Sequence, residues 1–326
     1  MADRPRTLVT APMRGPGLDK LRTLADVIYD PWIEQTPLRM YDAEQLAERL
    51  EAEGADVVVV EADEVKGPVL DLPLRAIGST RGDPTNVDLP GATAKGIPVL
   101  RAPGRNADAV AEMTVALLFT INRHVLAADR DVRAGAIYRD GTIPYQRFRA
   151  WELHGATAGL VGLGAVGRAT KWRLEGLGMT VFAYDPYSDD ATHDDLDAML
   201  AASNVVSMHT VVTPETEGMI GPAQFDAMPD GAVYLNTARA QLHDGDALFK
   251  ALESGKLAGA GLDHFQGEWL DPDDPLAALP NVVLTPHIGG ATYDTEVNHS
   301  RMIADGLEAI LEGRRPDNLA NPEVME

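Results

Sequence analysis

The feature that most constrains this chain is a glycine-rich segment, GLVGLGAVGRA, at Gly159–Ala169. An apolar run leads into Gly162, Gly164 and Gly167, and small helix-forming residues follow. In this spacing the first glycine permits a tight turn, the second lets a pyrophosphate approach the backbone, and the third lets a new helix pack on its strand. The N-terminus of that helix attracts an anion. The segment predicts a dinucleotide site, although a close helix–strand crossing alone would need the same small residues.

The next strand candidate strengthens this prediction. Asp185 ends the apolar run TVFAYD, near the ~20-residue spacing expected for the acidic residue of such sites. A carboxylate at this position accepts hydrogen bonds from both ribose hydroxyls and repels a 2′-phosphate, and no arginine follows in DPYSDD. The pattern therefore favours NAD over NADP. The alternative is that Asp185 only turns the chain before Pro186.

Apolar runs and helical patterns alternate along the chain. In the first part, ADVVVV and GIPVL are short buried-strand candidates. The segment YDAEQLAERLEAEG predicts a helix with Asp42 as its N-cap, Gln45 completing a capping box, and Gly54 at its end. This alternation is typical of α/β proteins.

The rest of the chain continues the same pattern. A helical stripe at Asn106–Val125 leads away from the first region, and a second long helix is expected from about Thr295 to Leu311. Between them lie the strand candidates TAGLVGL, TVFAY, VVSMHTVV, AVYLN, LAGAGLD and NVVLT. We expect two domains with mostly parallel, doubly wound sheets, the last helix returning to pack on the first domain.

Composition excludes several function classes. The 326-residue chain has 28 Lys and Arg against 50 Asp and Glu, a formal net charge of −22, which repels nucleic acid. It has no cysteine, which excludes disulfides, cysteine zinc sites and thiol catalysis, and we predict no metal site. No apolar run approaches the ~20 residues of a membrane span, and MADRPRTLVT lacks the core of a secretion signal. We expect a cytoplasmic enzyme or binding protein.

One of the eight histidines is well placed for chemistry. His287 follows the strand candidate NVVLT, and open α/β sheets bind ligands beyond the carboxyl ends of their strands. His264, directly after Asp263, is a second candidate. Arg239 and Glu268 also follow strand candidates, so we expect them near His287 at one edge of the sheet. Five others are interpreted as surface or helix residues: His124, His154, His193, His243 and His299.

Seven motifs in order resemble the D-isomer-specific 2-hydroxyacid dehydrogenase family. They are APGRNADAVAEM, ELHGATAGLVGLGAVGRA, YDPY, SMHTVVTPETEGMIG, YLNTARAQLHDGDAL, GAGLDHFQGE and LTPHIGGAT. The resemblance implies two Rossmann-like domains with a cleft between them: a discontinuous substrate-binding domain (1–105 plus 296–326) and a dinucleotide-binding domain (106–295). It also implies a homodimer, NAD as cofactor, and hydride transfer between NAD(H) and a 2-keto or D-2-hydroxy acid.

The resemblance implies roles for individual residues. Arg239 matches the residue that binds the substrate carboxylate and keto oxygen, His287 the acid/base, and Glu268 the carboxylate that hydrogen-bonds this histidine. A planar guanidinium holds a carboxylate through two parallel hydrogen bonds, and a neighbouring carboxylate favours the imidazolium. The implied cofactor-binding residues are Gly162, Gly164, Ala165, Val166, Gly167, Asp185, Pro186, His209, Thr210, Val211, Thr237, Ala238, Asp263, Gly289 and Gly290.

Two departures from the family pattern bear on the substrate. Trp269 stands where a proline commonly follows the glutamate, and the loop STRGDPTNVD carries Arg81, Gly82 and Asp83 where the family's backbone meets the substrate carboxylate. An arginine there suggests a substrate with a second anionic or strongly polar end. The alternative is that Arg81 only pairs with Asp83 or Glu61.

A second class of function shares this fold. An NAD-sensing binding protein or corepressor-like scaffold would use cofactor binding as its output and show little turnover. Retention of all three catalytic residues favours an enzyme.

Formate oxidation is disfavoured, since that chemistry typically replaces the glutamate by glutamine and here Glu268 is present.

Overall fold

The structure is a computed structural model that describes residues 4–326. Its strands are β1 (Arg6–Val9), β2 (Asp26–Tyr29), β3 (Val57–Val60), β4 (Ala76–Ser79), β5 (Val99–Leu100), β6 (Thr157–Val161), β7 (Thr180–Tyr184), β8 (Val205–Met208), β9 (Ala232–Asn236), β10 (Leu257–Leu262) and β11 (Val282–Leu284). Its α-helices are α1 (Gly15–Leu24), α2 (Ala43–Glu53), α3 (Leu89–Ala94), α4 (Ala107–Asn122), α5 (Val125–Arg133), α6 (Pro144–Arg147), α7 (Ala165–Gly176), α8 (Leu196–Ala201), α9 (Pro222–Ala227), α10 (Gly245–Glu253), α11 (Pro275–Ala278) and α12 (Tyr293–Leu311). Short 3₁₀ turns lie at Trp32–Glu34, Gly67–Asp71, Ala240–Leu242, Gln266–Glu268 and Pro322–Met325.

The chain divides into two compact units. The first combines the residues up to Asn106 with Thr292–Glu326, and the second is Ala107–Ala291. Each unit contains one sheet, with strand order β2-β1-β3-β4-β5 in the first and β11-β10-β9-β8-β6-β7 in the second. The paired strands run parallel throughout both sheets. The prediction of two doubly wound α/β sheets is confirmed.

The sheet of the first unit is covered on both faces, which explains why β3 is four consecutive buried valines. Alternate residues of the strand point to opposite faces. Val58 packs in the cluster that includes Leu46 of α2, whereas Val59 packs in the cluster that includes Ile303 of α12. The last long helix therefore completes the core of the first unit.

Two helix predictions in this unit can be compared with the structure. The capping box of Asp42 and Gln45 and the left-handed Gly54 at the end of α2 are confirmed. Helix α12 begins two residues earlier than expected because Thr292, whose side chain accepts a hydrogen bond from the amide of Thr295, is its N-cap. It packs against α1, where Lys20 pairs with two of its carboxylates.

The second unit is built in the same way around β6 and β8. Val205 of β8 packs in the cluster that includes Leu117 of α4, and Val206 packs in the cluster that includes Leu248 of α10. The helices on the two faces thus bury opposite sides of one parallel sheet. This leaves the carboxyl ends of the strands free to carry loops.

The prediction of one continuous helix over Asn106–Val125 is wrong at its C-terminal end. Helix α4 stops at Asn122, His124 adopts a left-handed backbone with φ of 54°, and α5 starts at Val125. The hydrophobic pattern continues across this corner, so it did not reveal the break. Over residues 4–326 no single helix is long and apolar enough to cross a membrane; α4 and α5 reach that length and composition only as a pair bent by 60°.

Candidate active site

The predicted catalytic residues of the second unit follow three neighbouring strands. Arg239 follows β9, Glu268 follows β10 and His287 follows β11. Because these strands are parallel and adjacent, their carboxyl ends lie at one edge of the sheet. The topology accounts for a meeting of residues that are far apart in the chain.

Glu268 and His287 are in direct contact. Nδ1 of His287 lies 2.9 Å from Oε1 of Glu268, and the two side chains are 58% (Glu268) and 44% (His287) exposed. Both residues have φ of 55°, in the left-handed region, and Gly267, which precedes Glu268, has φ of 68°. Non-glycine residues seldom adopt this conformation, and such strain collects at functional sites. The two side chains form a solvent-accessible pair that a substrate can reach.

Asp263 fixes the loop that carries His287. Its buried carboxylate accepts hydrogen bonds from the Thr285 hydroxyl (2.6 Å), the Ile288 amide (3.0 Å) and the Gly289 amide (2.7 Å). A Cβ atom at Gly289 would lie 2.9 Å from Oδ2 of Asp263. The group that approaches Gly289 closely is therefore this carboxylate. Asp263 thereby sets the position of the intervening His287.

His264 packs beneath the pair. Its ring centroid lies 3.8 Å from that of His287, and the residue is 5% exposed. Burial, followed by the positive charges of His287 and Arg239, lowers the pKa of His264 to about 4. Its imidazole is therefore neutral near pH 7. The sequence offered only its place after Asp263 as a signal, and the ring contact with His287 was not predicted.

Arg239 is exposed at the start of a 3₁₀ turn. The buried side chain of Asn236 donates a hydrogen bond to the Arg239 carbonyl (2.8 Å) and accepts one from the Ala238 amide (3.0 Å). One guanidinium nitrogen, Nη1, donates to the Ala238 carbonyl at 2.6 Å. A guanidinium has five N–H donors, so most of the Arg239 fork remains available to a ligand.

The glycine-rich loop has the conformation that the sequence predicts. Gly162 has φ of 100°, and a Cβ atom there would lie 2.7 Å from the His209 carbonyl oxygen. A Cβ atom at Gly167 would lie 2.1 Å from the Gly162 carbonyl oxygen, so the helix could not pack so closely with any other residue. A Cβ atom at Gly164 would meet nothing within 4 Å, which leaves open space at the N-terminus of α7.

Asp185 closes the other side of this loop. Its Oδ2 accepts a hydrogen bond from the Leu163 amide (2.7 Å) and its Oδ1 from the Tyr187 amide (2.9 Å). A carboxylate has about four acceptor positions, so two remain for a pair of hydroxyls. The tight glycine turn, the open helix N-terminus and the half-occupied carboxylate fit a dinucleotide with an unmodified ribose.

The other predicted cofactor-binding residues occupy the same edge of the sheet or its loops. Ala165 and Val166 open α7, Pro186 follows Asp185, and Thr210 and Val211 follow β8 beside His209. Thr237 and Ala238 follow β9, and Gly290 follows Gly289. Burial lowers the pKa of His209 to about 3, and its Nδ1 is buried without a hydrogen-bond partner in the described part of the chain.

The predicted substrate loop belongs to the first unit and follows β4. Arg81 and Asp83 are exposed, Gly82 is half-buried, and Nη1 of Arg81 donates to the Thr85 hydroxyl at 3.1 Å. Among residues 4–326, Arg81 forms no ion pair with Asp83 or Glu61. Glu61 pairs instead with Arg105, so the alternative interpretation of Arg81 as a partner of Glu61 or Asp83 is wrong.

A contact that the sequence did not predict joins the two chain segments of the first unit. Arg105 Nη1 lies 2.8 Å from Nδ1 of His299, and Nε2 of His299 lies 2.6 Å from the carbonyl oxygen of Pro12. Burial, followed by the charge of Arg105, lowers the pKa of His299 to about 4. The sequence carries no local signal for this contact because 194 residues separate the two side chains.

Comparison with known proteins shows the family of the chain. Residues 115–289 match the family model described as "D-isomer specific 2-hydroxyacid dehydrogenase, NAD binding domain". The chain is 35% identical over 333 aligned positions to a glyoxylate reductase of Thermofilum pendens, covering 99% of this chain and 96% of the relative. These matches span nearly all of the sequence.

The chain is also similar to a longer dehydrogenase and to a protein of known crystal structure. A D-3-phosphoglycerate dehydrogenase of Archaeoglobus fulgidus is 38% identical over 260 residues, 78% of this chain but only 48% of the relative. The crystal structure of the TT0316 protein from Thermus thermophilus is 36% identical, with a TM-score of 0.81, and covers 97% of this chain and 99% of that one.

Proposed function

The chain belongs to the D-isomer specific 2-hydroxyacid dehydrogenase family and is an NAD-dependent oxidoreductase, and we propose that His287 and Glu268 act as its proton-transfer pair in the interconversion of a 2-keto acid and a D-2-hydroxy acid. The contact that carries this proposal is the 2.9 Å approach of Nδ1 of His287 to Oε1 of Glu268. With Nδ1 occupied, Nε2 is the nitrogen that faces the reacting oxygen.

The pair defines the direction of proton movement. Glu268 accepts the Nδ1 hydrogen and so fixes the tautomer and orientation of the ring, as carboxylate partners of catalytic histidines do. In reduction, Nε2 of His287 donates its proton to the keto oxygen; in oxidation, the neutral ring takes the hydroxyl proton back. When bound, NADH supplies the hydride.

Arg239 is proposed to hold the substrate. A planar guanidinium binds a carboxylate through two parallel hydrogen bonds, which fixes the face of the carbonyl that meets the hydride. The turn that carries Arg239 is pinned by the buried Asn236, and one nitrogen of the guanidinium is used inside the protein. The backbone at Arg239 is therefore fixed, while most of its guanidinium N–H groups remain available to the substrate.

The cofactor site is proposed to be the loop of Gly162, Gly164 and Gly167 together with Asp185. The N-terminus of α7 would hold the pyrophosphate, and Asp185 would accept the ribose hydroxyls. The remaining members of this proposed site are Ala165, Val166, Pro186, His209, Thr210, Val211, Thr237, Ala238, Asp263, Gly289 and Gly290. The carboxylate of Asp185 selects against the additional phosphate of NADP.

The substrate class is proposed from Arg81. Its guanidinium is exposed and has one hydroxyl partner, so its charge is available to a ligand. We propose that it binds a second anionic or hydroxylated end of the 2-keto acid, with the backbone at Gly82 and Asp83 beside it. By their names, the two curated relatives differ in this respect: one acts on glyoxylate, and the other acts on 3-phosphoglycerate, which has a second anionic end.

The oligomer is proposed to be a homodimer formed through residues 125–151. Exposed apolar side chains are concentrated in this short stretch of the second unit: Val125, Leu126, Val132, Ile137, Tyr138, Ile143, Tyr145 and Trp151. A large exposed apolar patch marks an interaction surface, and a second copy of the chain covers it symmetrically. Sedimentation should give twice the chain mass, and Trp151→Asp should give the monomer, whereas Trp172→Asp should not.

The same proposal assigns a role to each unit. The second unit, Ala107–Ala291, would bind the dinucleotide, and the first unit would supply Arg81 to the substrate. We also propose a cytoplasmic location, in keeping with dependence on NAD(H).

The experiment that tests this function is a substrate panel. NADH oxidation is followed with glyoxylate, hydroxypyruvate, 3-phosphohydroxypyruvate and a branched 2-keto acid. We expect reduction, fastest for an acid with a second polar end. Tight NADH binding without reduction of any acid would contradict the proposal and favour the sensor function.

A further inference from the structure

Three metal-binding side chains converge at the catalytic edge of the second unit. One nitrogen each from His264 and His287 and one oxygen from Glu268 all lie within 4.8 Å of one another. Oε1 of Glu268 is 2.9 Å from Nδ1 of His287 and 3.9 Å from Nδ1 of His264. The pair alone accounts for proton transfer, so His264 needs a separate explanation.

His264 is a buried polar side chain without a hydrogen-bond partner. It is 5% exposed, and across residues 4–326 neither of its ring nitrogens makes a hydrogen bond; the carboxylate oxygen at 3.9 Å is beyond hydrogen-bonding distance. Its ring nitrogens are therefore not occupied by other groups of the protein, and a neutral imidazole is a common metal ligand. We propose that His264, Glu268 and His287 form a regulatory Zn²⁺ site.

The spacing of the ligand atoms suits zinc. Tetrahedral bonds of about 2.0–2.1 Å place neighbouring ligand atoms roughly 3.3 Å apart. The observed separations of 2.9 and 3.9 Å lie on either side of this value, so small side-chain rotations bring the three atoms to a common ion. Two histidines and one glutamate form a known zinc set, with the fourth position left to water. At His264, the negative charge of Asp263 opposes the positive charge of Arg239.

Zinc at this position blocks the proton-transfer pair. Binding releases the proton on Nδ1 of His287 to solvent and replaces the hydrogen bond to Glu268 by a metal bond. The remaining proton then sits on Nε2 of a neutral ring, which holds it more tightly than an imidazolium does and has no lone pair to accept another. This consequence rests on the proposed function: Zn²⁺ inhibits both reduction and oxidation, and a chelator restores them.

The test measures metal binding without cofactor or substrate. Tag-free protein is titrated with Zn²⁺ by calorimetry, and with Co²⁺ by visible absorption, which reports the coordination geometry. His264→Phe keeps an aromatic ring packed on His287 but removes the ligand, and His193→Phe in the same unit is the matched control. We expect one Zn²⁺ per chain, an affinity at least ~10-fold weaker in His264→Phe, and no change in His193→Phe. Thermal melts of both variants establish that they are folded.

The outcomes separate this inference from the proposed function. Stoichiometric Zn²⁺ binding that weakens in His264→Phe supports the site even if no 2-keto acid is reduced. Absence of Zn²⁺ binding, or equal affinity in the wild type and His264→Phe, overturns the site even if turnover is fast. If His264→Phe does not fold, His264→Asn is measured in its place, with the same expected loss.

Discussion

Nδ1 of His287 lies 2.9 Å from Oε1 of Glu268, and both residues hold a left-handed backbone with φ of 55°. Such a conformation costs on the order of 1–3 kcal/mol for each residue and persists only where the surroundings enforce it. For His287 the enforcing group is the buried carboxylate of Asp263, which binds the loop on both sides of the histidine. The pair is therefore arranged before any substrate arrives.

Loss of the imidazole should remove the chemistry and spare cofactor binding. We expect His287→Ala to lower turnover by roughly 10²–10⁴-fold, the range for a general acid or base, with little change in NADH affinity. Steady-state kinetics and NADH fluorescence titration measure the two quantities. His287→Gln, which fills more of the space against His264, should behave alike. Near-normal turnover in both variants would remove His287 from the mechanism.

Asp185 should set the preference between the two nicotinamide cofactors. Two acceptor positions of its carboxylate remain after the Leu163 and Tyr187 amides are satisfied, and its charge repels a 2′-phosphate. We expect Asp185→Ser to reduce the ratio of kcat/KM for NADH over NADPH markedly. A wild-type enzyme that already prefers NADPH would contradict the assignment.

Arg81 should distinguish substrates by their far end. A charged hydrogen bond contributes about 1.5–3 kcal/mol, or roughly 10- to 150-fold in binding. Arg81→Ala should therefore raise KM by such a factor for the preferred substrate with a second polar end, and scarcely change KM for glyoxylate. Thr85→Ala, which removes the internal partner of Arg81, is the control for loop stability. Equal losses on both substrates would indicate that Arg81 only orders its loop.

His299 should make stability depend on pH. Burial, and then Arg105, lower its pKa in the folded protein to about 4, below the ordinary value of 6.5. Between these values the unfolded chain binds the proton and the folded chain does not, so the free energy of unfolding falls as pH falls from about 6.5 to about 4. His299→Gln keeps one acceptor for Arg105 and one donor for Pro12 without titrating.

Urea unfolding of the wild type and His299→Gln at about pH 7 and about pH 5 checks this linkage. We expect the loss of stability between the two pH values to be smaller in the variant. Equal losses would mean that His299 does not contribute to the pH dependence.

Local signals in the sequence predicted much of this molecule. The capping box at Asp42, the glycine turn at Gly162 and the buried valines of β3 each depend on residues close in the chain, and the structure agrees with all of them. The bend at His124 escaped prediction because hydrophobic periodicity continues through it while the backbone turns by 60°.

At the site, order along a parallel sheet was predictable, whereas packing was not. That Glu268 and His287 would share an edge follows from strands that alternate with helices. That Asp263 would bind the His287 loop, that His264 would stack on His287, and that Arg105 would reach His299 depends on side-chain directions in three dimensions. No spacing rule in one sequence encodes those directions.

The stereochemistry of the product tests the central claim most directly. Hydroxypyruvate is reduced with NADH by the wild-type enzyme, and the glycerate formed is resolved on a chiral column. If Arg239 fixes one face of the keto acid, the product is D-glycerate alone. If His287 protonates the keto oxygen, His287→Ala forms glycerate at least ~10²-fold more slowly than the wild type. L-glycerate, a racemate, or undiminished product from His287→Ala would contradict the account.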